Sequence, residues 1–366
     1  MEFEFFSINE FLRFAVEAGA SDEHLKVGNP PFIRKNGFIE KTEYPILSRQ
    51  DLDDVILEIA PTSIRDEILT RCDLDFMYEI RGFSKFRINY NRQLGLPALT
   101  IRNIPYQIPT LSDLNLPSIL NTIATHQNGI VLITGPTGSG KSTTIASIID
   151  NIISNTAKHI ITIEDPVEYV FRCKNSIVSQ RQIGIDTADF ATGIKYALRQ
   201  DPDIIFIGEI RDKETMAAAL KAAETGHLVL STLHTNDAVQ TLNRIVNIFN
   251  ESDRAVVRKQ VAETLRATIA QKLVYSKEND KRYPACEILV VTPSVKDYIV
   301  RDNLEAIYGL IEETSYDSMI TLNTSLTKLV SKGLISEDEA REHTNDRNDL
   351  EKLLRGVYTG TRASYE

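Results

Sequence analysis

The chain has 366 residues, of which 42% are hydrophobic and 25% are charged, and its formal net charge is -10. These values are ordinary for a globular protein of two or three domains and exclude a largely disordered chain. The excess of acids disfavours unspecific attraction to an anionic membrane surface and to nucleic acid, so no nucleic-acid partner is expected.

Cysteine usage and hydropathy indicate the compartment. The three cysteines are far apart and never form a Cys-x-x-Cys pair, which argues against a disulfide framework. No apolar run approaches the roughly 18 residues needed to span a bilayer, and the first residues, MEFEFF, are acidic where a signal peptide is basic. We therefore predict a cytoplasmic protein that contacts a membrane only through a partner.

The first hundred or so residues predict a small α+β domain. A helix should begin after Ser7, because Ser7 and the glutamate three residues later have the spacing of a capping box. The dipeptide Asn36-Gly37 lies between two apolar runs and predicts a tight β-hairpin, and a second strand pair is predicted around Arg81-Gly82. These hairpins predict an antiparallel sheet.

A proline-containing stretch follows this domain. Residues 103–117 contain three prolines and show no strong hydrophobic period, which is typical of a stiff connector. We therefore predict an N-terminal domain at 1–102, a linker at 103–117 and a second domain at 118–366.

Short apolar runs alternate with helical stretches in the second domain. This alternation predicts a mostly parallel, doubly wound α/β sheet. The predicted strands are residues 130–134, 160–164, 204–208 and 228–232. From about residue 253 the chain is predicted to be largely helical, with one more strand near 288–291. The predicted helical stripe comprises Val257, Val261, Leu265, Ile269 and Leu273.

A phosphate-binding motif follows the first of these strands. The sequence GPTGSGKST fits Gly-x-x-x-x-Gly-Lys-[Ser/Thr], in which glycines let backbone N–H groups approach phosphates at a helix N-terminus. Lys141 is predicted to bridge the β- and γ-phosphates of ATP, and Ser142 to hold Mg²⁺ through its hydroxyl. The structural alternative is a Gly-rich turn with an accidental lysine, and the order of strand, loop and helix argues against it. The motif comprises Gly135, Pro136, Thr137, Gly138, Ser139, Gly140, Lys141, Ser142 and Thr143.

ATP hydrolysis also needs a group that positions water, and two acids lie where predicted strands end. Glu164 ends one strand and Glu209 follows another. Many P-loop enzymes have a metal-linked aspartate where this chain has Gly208, which leaves Glu209 as the better candidate to orient or deprotonate the attacking water. Glu164 also fits a turn residue ahead of Pro166.

Two histidines and several arginines complete the candidate site. His227 and His234 bracket the strand at 228–232, near the predicted nucleotide end, although a histidine at a strand end is often only structural. Arginines from the same or an adjacent subunit can stabilise charge on a transferred phosphoryl group, although most surface arginines are merely solvated. The candidates are Arg87, Arg92, Arg102, Arg199 and Arg211.

Four segments resemble the nucleotide-site boxes of the bacterial secretion ATPase superfamily. They are GPTGSGKST, TIEDPVEY from Thr162, LRQDPDIIFIGEIRD from Leu198 and TGHLVLSTLHTNDA from Thr225. Three further segments resemble type IV pilus retraction ATPases of the PilT type, and the resemblance covers nearly the whole chain. They are GASDEHLKVGNPPFIRKNG from Gly19, IPTLSDLNLP from Ile108 and LTKLVSKGLIS from Leu326.

The resemblance implies a PAS-like N-terminal domain and a RecA-like P-loop ATPase domain with a helical C-terminal part. It further implies a cytoplasmic homo-hexamer that acts on an inner-membrane platform protein at the pilus base and drives pilus retraction and twitching motility. Lys141 and Ser142 would bind phosphate and Mg²⁺, and Glu164 and Glu209 would act on water and metal. The other implied roles are γ-phosphate contact by His227 and His234, and contact with the adjacent subunit's nucleotide by Arg87, Arg92 and Arg102.

Three other functions remain open from the sequence. The segment STLHTNDA resembles the corresponding segment of pilus-assembly and type II secretion ATPases as much as that of retraction ATPases. The chain therefore also fits a motor of pilus assembly or type II secretion. A nucleotide-gated adaptor that does not turn over is a second alternative, and the full set of acids argues against it. A nucleic-acid translocase is the third, because it would share the RecA-like core.

Overall fold

The computed structural model describes residues 6–104, 108–313 and 319–356. The chain divides into two compact units, Met1–Gln107 and Ile108–Glu366.

The first unit is built on a six-stranded antiparallel sheet with strand order β3-β2-β1-β6-β5-β4. The strands are β1 (Ala20–Lys26), β2 (Phe32–Lys35), β3 (Phe38–Lys41), β4 (Asp73–Ile80), β5 (Ser84–Gln93) and β6 (Leu96–Ile104). The helices are α1 (Ile8–Glu17), α2 (Arg49–Ile59) and α3 (Arg65–Thr70).

The local signals in this unit act as predicted. Ser7 caps α1 by accepting a hydrogen bond from the backbone N–H of Glu10 at 3.4 Å. Asn36 and Gly37 both adopt positive φ, 51° and 95°, which gives the twist that a two-residue hairpin needs. The core contains Phe11 of α1, Leu52 of α2 and alternate residues of β5, so the remaining β5 side chains lie on the opposite sheet face.

Glu23 is a fully buried acid in this core. Its Oε1 accepts a hydrogen bond from Nδ2 of Asn103 at 2.7 Å, and burial raises the pKa of Glu23 to about 8 in spite of that bond, with Asp22 adding to the rise. Glu23 is therefore neutral in the folded protein at pH 7.

A pH dependence of stability follows from Glu23. Glu23 binds its proton more tightly in the folded state than in the unfolded chain, where the pKa of glutamate is 4.5. The stability that this proton contributes to the fold is therefore complete below pH 4.5 and is lost as the pH rises through about 8. We expect Glu23→Gln, which stays neutral, to raise Tm over wild type by a few degrees near pH 8 and by less near pH 5.5, in calorimetry of the full chain. The matched variant Glu17→Gln changes an exposed acid and should follow wild type. A Glu23→Gln chain that also follows wild type at every pH would contradict the assignment.

The second unit is built on a seven-stranded sheet with order β13-β12-β7-β11-β10-β8-β9, parallel except for β13. The strands are β7 (Gly129–Thr134), β8 (His159–Glu164), β9 (Ile177–Gln182), β10 (Ile204–Ile207), β11 (Leu228–Leu233), β12 (Leu265–Ser276) and β13 (Lys281–Val290). The helices are α4 (Ile119–Ile123), α5 (Lys141–Asn155), α6 (Phe190–Ala197), α7 (Lys213–Glu224), α8 (Ala238–Asn247), α9 (Arg254–Thr264), α10 (Pro293–Val300), α11 (Glu305–Glu313), α12 (Leu322–Ser331), α13 (Glu337–His343) and α14 (Arg347–Leu354).

Both faces of the central strands are covered by helices, which confirms the doubly wound sheet. Alternate β10 residues belong to different hydrophobic clusters: Ile205 packs with Met216 of α7, and Phe206 packs with Ile149 of α5. Because β7, β8, β10 and β11 run in the same direction, their carboxyl ends meet at one edge of the sheet. That edge is where ligands bind in folds of this type.

The predicted helical stripe is wrong beyond α9. Leu265, Ile269 and Leu273 lie on β12, which pairs with both β7 and β13. A spacing of four residues puts side chains on one face of a helix, but four is also a multiple of two and so puts them on one face of a strand. The strand predicted near 288–291 is the end of the longer β13. Strand β9 was not predicted from the sequence.

The predicted linker at 103–117 is largely part of the two units. β6 continues to Ile104, two residues beyond the predicted domain boundary at 102. Leu111 and Leu116 are buried in the core of the second unit with residues of β7 and α5. Pro105 lies outside the described residues.

Candidate active site

The loop between β7 and α5 has the backbone of a phosphate cradle. Gly135, Gly138 and Gly140 adopt φ values of 143°, 79° and 86°. A Cβ at Gly135 would overlap the carbonyl oxygen of Gln271, and one at Gly140 would lie 2.8 Å from Nε2 of Gln271, so both glycines allow the loop to pack on β12. A Cβ at Gly138 would meet no atom of the described residues within 4 Å, so this side of the loop has space for a ligand. This arrangement fits a nucleotide phosphate.

Lys141 begins α5 and folds back over the loop. Its Nζ donates hydrogen bonds to the carbonyl oxygens of Gly135 at 2.8 Å and Pro136 at 2.9 Å. Burial lowers the pKa of Lys141, while Glu209 and Glu168 act in the opposite direction. The two acids are therefore close enough to Lys141 to favour its charged form.

The hydroxyl groups after Lys141 lie on the first turn of α5. Thr143 Oγ1 is 2.9 Å from the hydroxyl of Tyr169, which ties α5 to the segment after β8. Ser142 is half-buried beside Thr143. Within the described residues, no group of three His, Cys, Asp or Glu side chains could hold a metal. The oxygen of Ser142 suits Mg²⁺, which keeps several waters and shares phosphate oxygens in sites of this kind.

Glu164 is a buried acid at the carboxyl end of β8. It accepts hydrogen bonds from Thr162 Oγ1 at 2.6 Å and Gln180 Nε2 at 3.1 Å, and it is 5% exposed. Burial raises its pKa to about 6, and the hydrogen bonds limit the rise. The end of β10 packs beside this acid, since a Cβ at Gly208 would lie 3.4 Å from the Cα of Glu164, in ordinary van der Waals contact.

Glu209 lies directly after β10 and joins two other predicted residues. Its carboxylate forms an ion pair with Arg211 at 2.5 Å and lies 3.4 Å from Nε2 of His234. The side chain of Glu209 is 13% exposed and that of His234 is 49% exposed, so the pair lies at the solvent boundary. A shielded carboxylate held by two cationic or polar groups is suited to orient a water molecule.

Short loops closed by helix caps position Glu209 and His234. Asp212 caps α7 by accepting from the N–H of Thr215 at 2.7 Å, and Asp237 caps α8 by accepting from the N–H of Gln240 at 2.7 Å. The Oγ1 of Thr232 donates to the carbonyl of Gly208 at 2.7 Å and so links the ends of β10 and β11. These contacts leave few conformations for the two loops.

His227 does not join this group within one chain. It precedes β11, whereas His234 follows that strand, so roughly 20 Å of extended chain separates them. The ring of His227 contacts Thr225 Oγ1 at 3.1 Å and the carbonyl of Ala222 at 3.0 Å. The prediction that both histidines lie beside the nucleotide end is therefore wrong for His227, because only the carboxyl end of β11 reaches that edge.

The first unit's arginines are also divided. Arg87 on β5 and Arg102 on β6 are direct cross-strand neighbours, and Arg102 forms an ion pair with Asp22 at 2.9 Å. Arg92 is five residues beyond Arg87, an odd number, so it lies on the other sheet face, and its Nε donates to the hydroxyl of Tyr90 at 3.0 Å. Arg87 and Arg102 are therefore neighbours on one sheet face, and Arg92 lies apart from them.

Arg199 lies apart from Glu209 as well. It follows α6 and precedes β10, whereas Glu209 follows β10. Its guanidinium stacks over the ring of Tyr196 at 5.8 Å from the centroid. Of the two candidate arginines in the second unit, Arg211 contacts Glu209 and Arg199 does not.

Sequence reasoning missed two residues that support the site. Gln180 on β9 donates to both Glu164 and the carbonyl of Tyr169, the latter at 2.7 Å. Gln271 on β12 contacts the P-loop and α5. The one available signal was a glutamine within an apolar run, such as ATIAQKLV for Gln271, and that signal does not identify a partner.

A family model described as "Type II/IV secretion system protein" matches residues 101–341. The chain belongs to this secretion ATPase family. The "Type IV pilus retractation ATPase PilT" of Pseudomonas aeruginosa is 40% identical over 336 residues, which cover 92% of this chain and 97% of that protein. A "Twitching motility protein" of Neisseria gonorrhoeae is 37% identical over 321 residues, covering 87% of this chain and 86% of that protein.

A solved structure agrees with these matches. The "Crystal Structure of the Pilus Retraction Motor PilT and Bound ADP" has a TM-score of 0.85 and 41% identity, and the match covers 95% of this chain and 99% of that chain. The predicted resemblance to retraction ATPases and the predicted fold class, a RecA-like ATPase domain after an α+β N-terminal domain, are thereby confirmed.

Proposed function

We propose that this chain is the ATP-hydrolysing motor of type IV pilus retraction and that it drives pilus disassembly and twitching motility. The observation that carries the proposal is the convergence of Lys141, Glu209 and His234 at the carboxyl edge of a P-loop sheet. The matches to a pilus retraction ATPase and a twitching motility protein support the direction of the motor.

The residues at the sheet edge divide the work of hydrolysis. Backbone N–H groups of the P-loop and the start of α5 bind the phosphates, and Lys141 exchanges its loop carbonyls for phosphate oxygens. Mg²⁺, held by Ser142, would neutralise charge on the transferred phosphoryl group. Glu209 orients the attacking water and accepts its proton, while Arg211 and His234 hold the carboxylate in place.

Assembly and place in the cell are part of the same proposal. A head-to-tail homo-hexamer brings Arg87 and Arg102 of one subunit to the nucleotide of the next. Hydrolysis removes the phosphate that these arginines contact, and the neighbouring domain can then rotate. The ring acts in the cytoplasm at the pilus base, on an inner-membrane platform protein. In the described ranges no helix is long and apolar enough to cross a membrane.

The test is a count of surface pili, with a motility assay, on cells that express only Lys141→Ala. Loss of the lysine should abolish productive ATP binding, so pili should be abundant and surface motility lost. The matched variant Lys221→Ala removes an exposed lysine of α7 and should leave both unchanged. Bald cells would instead assign the chain to pilus assembly, and an unchanged pilus count would favour the secretion or adaptor functions.

A further inference from the structure

A single glutamine underlies the P-loop on the side away from the open cradle. β12 is the parallel neighbour of β7, and the last paired residues are Ala270 and Thr134. Gln271 therefore lies beside the start of the P-loop. It is 2% exposed in a strand whose neighbouring residues are mostly buried and apolar.

Both ends of the Gln271 amide are used. Its Nε2 donates to the carbonyl oxygen of Ser139 at 2.7 Å, and its Oε1 accepts from Thr144 Oγ1 at 2.8 Å. Ser139 lies two residues before Lys141 and Thr144 three residues after it. One buried side chain thus joins the P-loop to the first turn of α5 across the phosphate-binding lysine.

The backbone of Gln271 adds a third restraint. Its carbonyl oxygen packs against Gly135 so closely that no Cβ fits there. The loop is therefore held on β12 near its first residue and again at Ser139. A Gly-rich loop without such restraints would have to be ordered when it binds, which weakens binding.

We propose that Gln271 is a positioning residue that holds the P-loop and the first turn of α5 in their phosphate-binding arrangement. It contacts no nucleotide in this role and acts through Ser139 and Thr144. The recognised ligand is the phosphate chain of a nucleotide, so ADP and ATP are affected alike. The inference depends on nucleotide binding in the proposed function and not on the direction of the motor.

The test uses three variants of the full chain that remove different parts of the contact. Gln271→Leu removes both hydrogen bonds. Gln271→Glu, assayed at a pH at which its carboxyl is ionised, keeps the acceptor for Thr144 but replaces the donor to Ser139 with a second oxygen. Thr144→Val removes only the bond to Oε1. Thr268→Val is the matched control, since Thr268 is a fully buried β12 residue whose hydroxyl has no hydrogen-bond partner among the described residues.

The measurement is affinity for fluorescent ADP, with KM and kcat for ATP hydrolysis, well below the Tm of each variant. We expect Gln271→Leu and Gln271→Glu to weaken ADP binding and raise KM by about tenfold, because a buried carbonyl loses its donor, while kcat changes less than about threefold. Thr144→Val should have a smaller effect of the same kind, and Thr268→Val none.

A lower Tm with unchanged ADP affinity in Gln271→Leu would overturn the proposal, because it would show a role in folding alone. If Gln271→Leu does not fold, Gln271→Glu and Thr144→Val decide on the same criterion. ADP affinity still tests the role of Gln271 if the chain proves to hydrolyse ATP slowly or to be the motor of another process. A wrong assignment of retraction therefore leaves this test intact.

Discussion

Replacing Glu209 with Gln is expected to leave ATP binding intact and to lower turnover by at least tenfold. The amide has nearly the same size, but it takes up no proton from water and forms no ion pair with Arg211. General-base groups typically contribute about 10²- to 10⁴-fold in rate, so a tenfold loss is a low threshold. The measurements are steady-state phosphate release and affinity for a fluorescent ATP analogue.

The control for this variant is Glu214→Gln. Glu214 is an exposed acid in the first turn of α7, five residues after Glu209, and its replacement should leave turnover close to wild type. Near-normal turnover in Glu209→Gln would exclude the role assigned to Glu209. Glu164 would then be the next candidate among the acids at the sheet edge, and Glu164→Gln would be expected to show the loss.

The sheet edge could be predicted because strand direction determines it. Parallel strands separated by helical crossovers bring their carboxyl ends together, so a P-loop after β7, an acid at the end of β8 and an acid after β10 had to meet. The same rule separates the histidines, since His227 comes before β11. Arg87 and Arg92 are an odd number of residues apart on β5, so their side chains lie on opposite faces of the sheet. The misplacement of His227 came from treating closeness in sequence to a strand as closeness to its carboxyl end.

Gln271 could not be predicted in the same way. Its role depends on β12 lying next to β7, and the spacing of Leu265, Ile269 and Leu273 fits a helix and a strand equally. With β12 taken as a helix, no strand was available on that side of the P-loop. Tertiary pairing decides such a segment, and a single sequence does not contain the partner.

In a ring whose sites are shared between subunits, Arg102→Ala should strongly lower ATP hydrolysis. Mixing this variant with Glu209→Gln subunits should restore part of the activity. Arg102→Ala alone is expected to lose at least tenfold in turnover, because arginines that stabilise phosphoryl transfer contribute about 10³-fold or more. Glu209→Gln supplies intact arginines but lacks the water-positioning acid. In an equimolar mixed ring, about a quarter of the interfaces combine an intact Glu209 with an intact Arg102 from the neighbour. Turnover of the mixture should therefore rise toward about a quarter of wild type, measured after subunits exchange.

Arg92→Ala is the control that the structure provides for this experiment. Arg92 lies on the other face of the sheet from Arg87 and Arg102 and bonds Tyr90 on its own strand, so its loss should leave turnover near wild type and make mixing irrelevant. A mixture of Arg102→Ala and Glu209→Gln that stays as inactive as either variant, in rings shown to contain both, would contradict shared sites. Arg211, which contacts Glu209 within one chain, would then be the arginine to replace, because a residue acting in its own subunit gives no rescue by mixing.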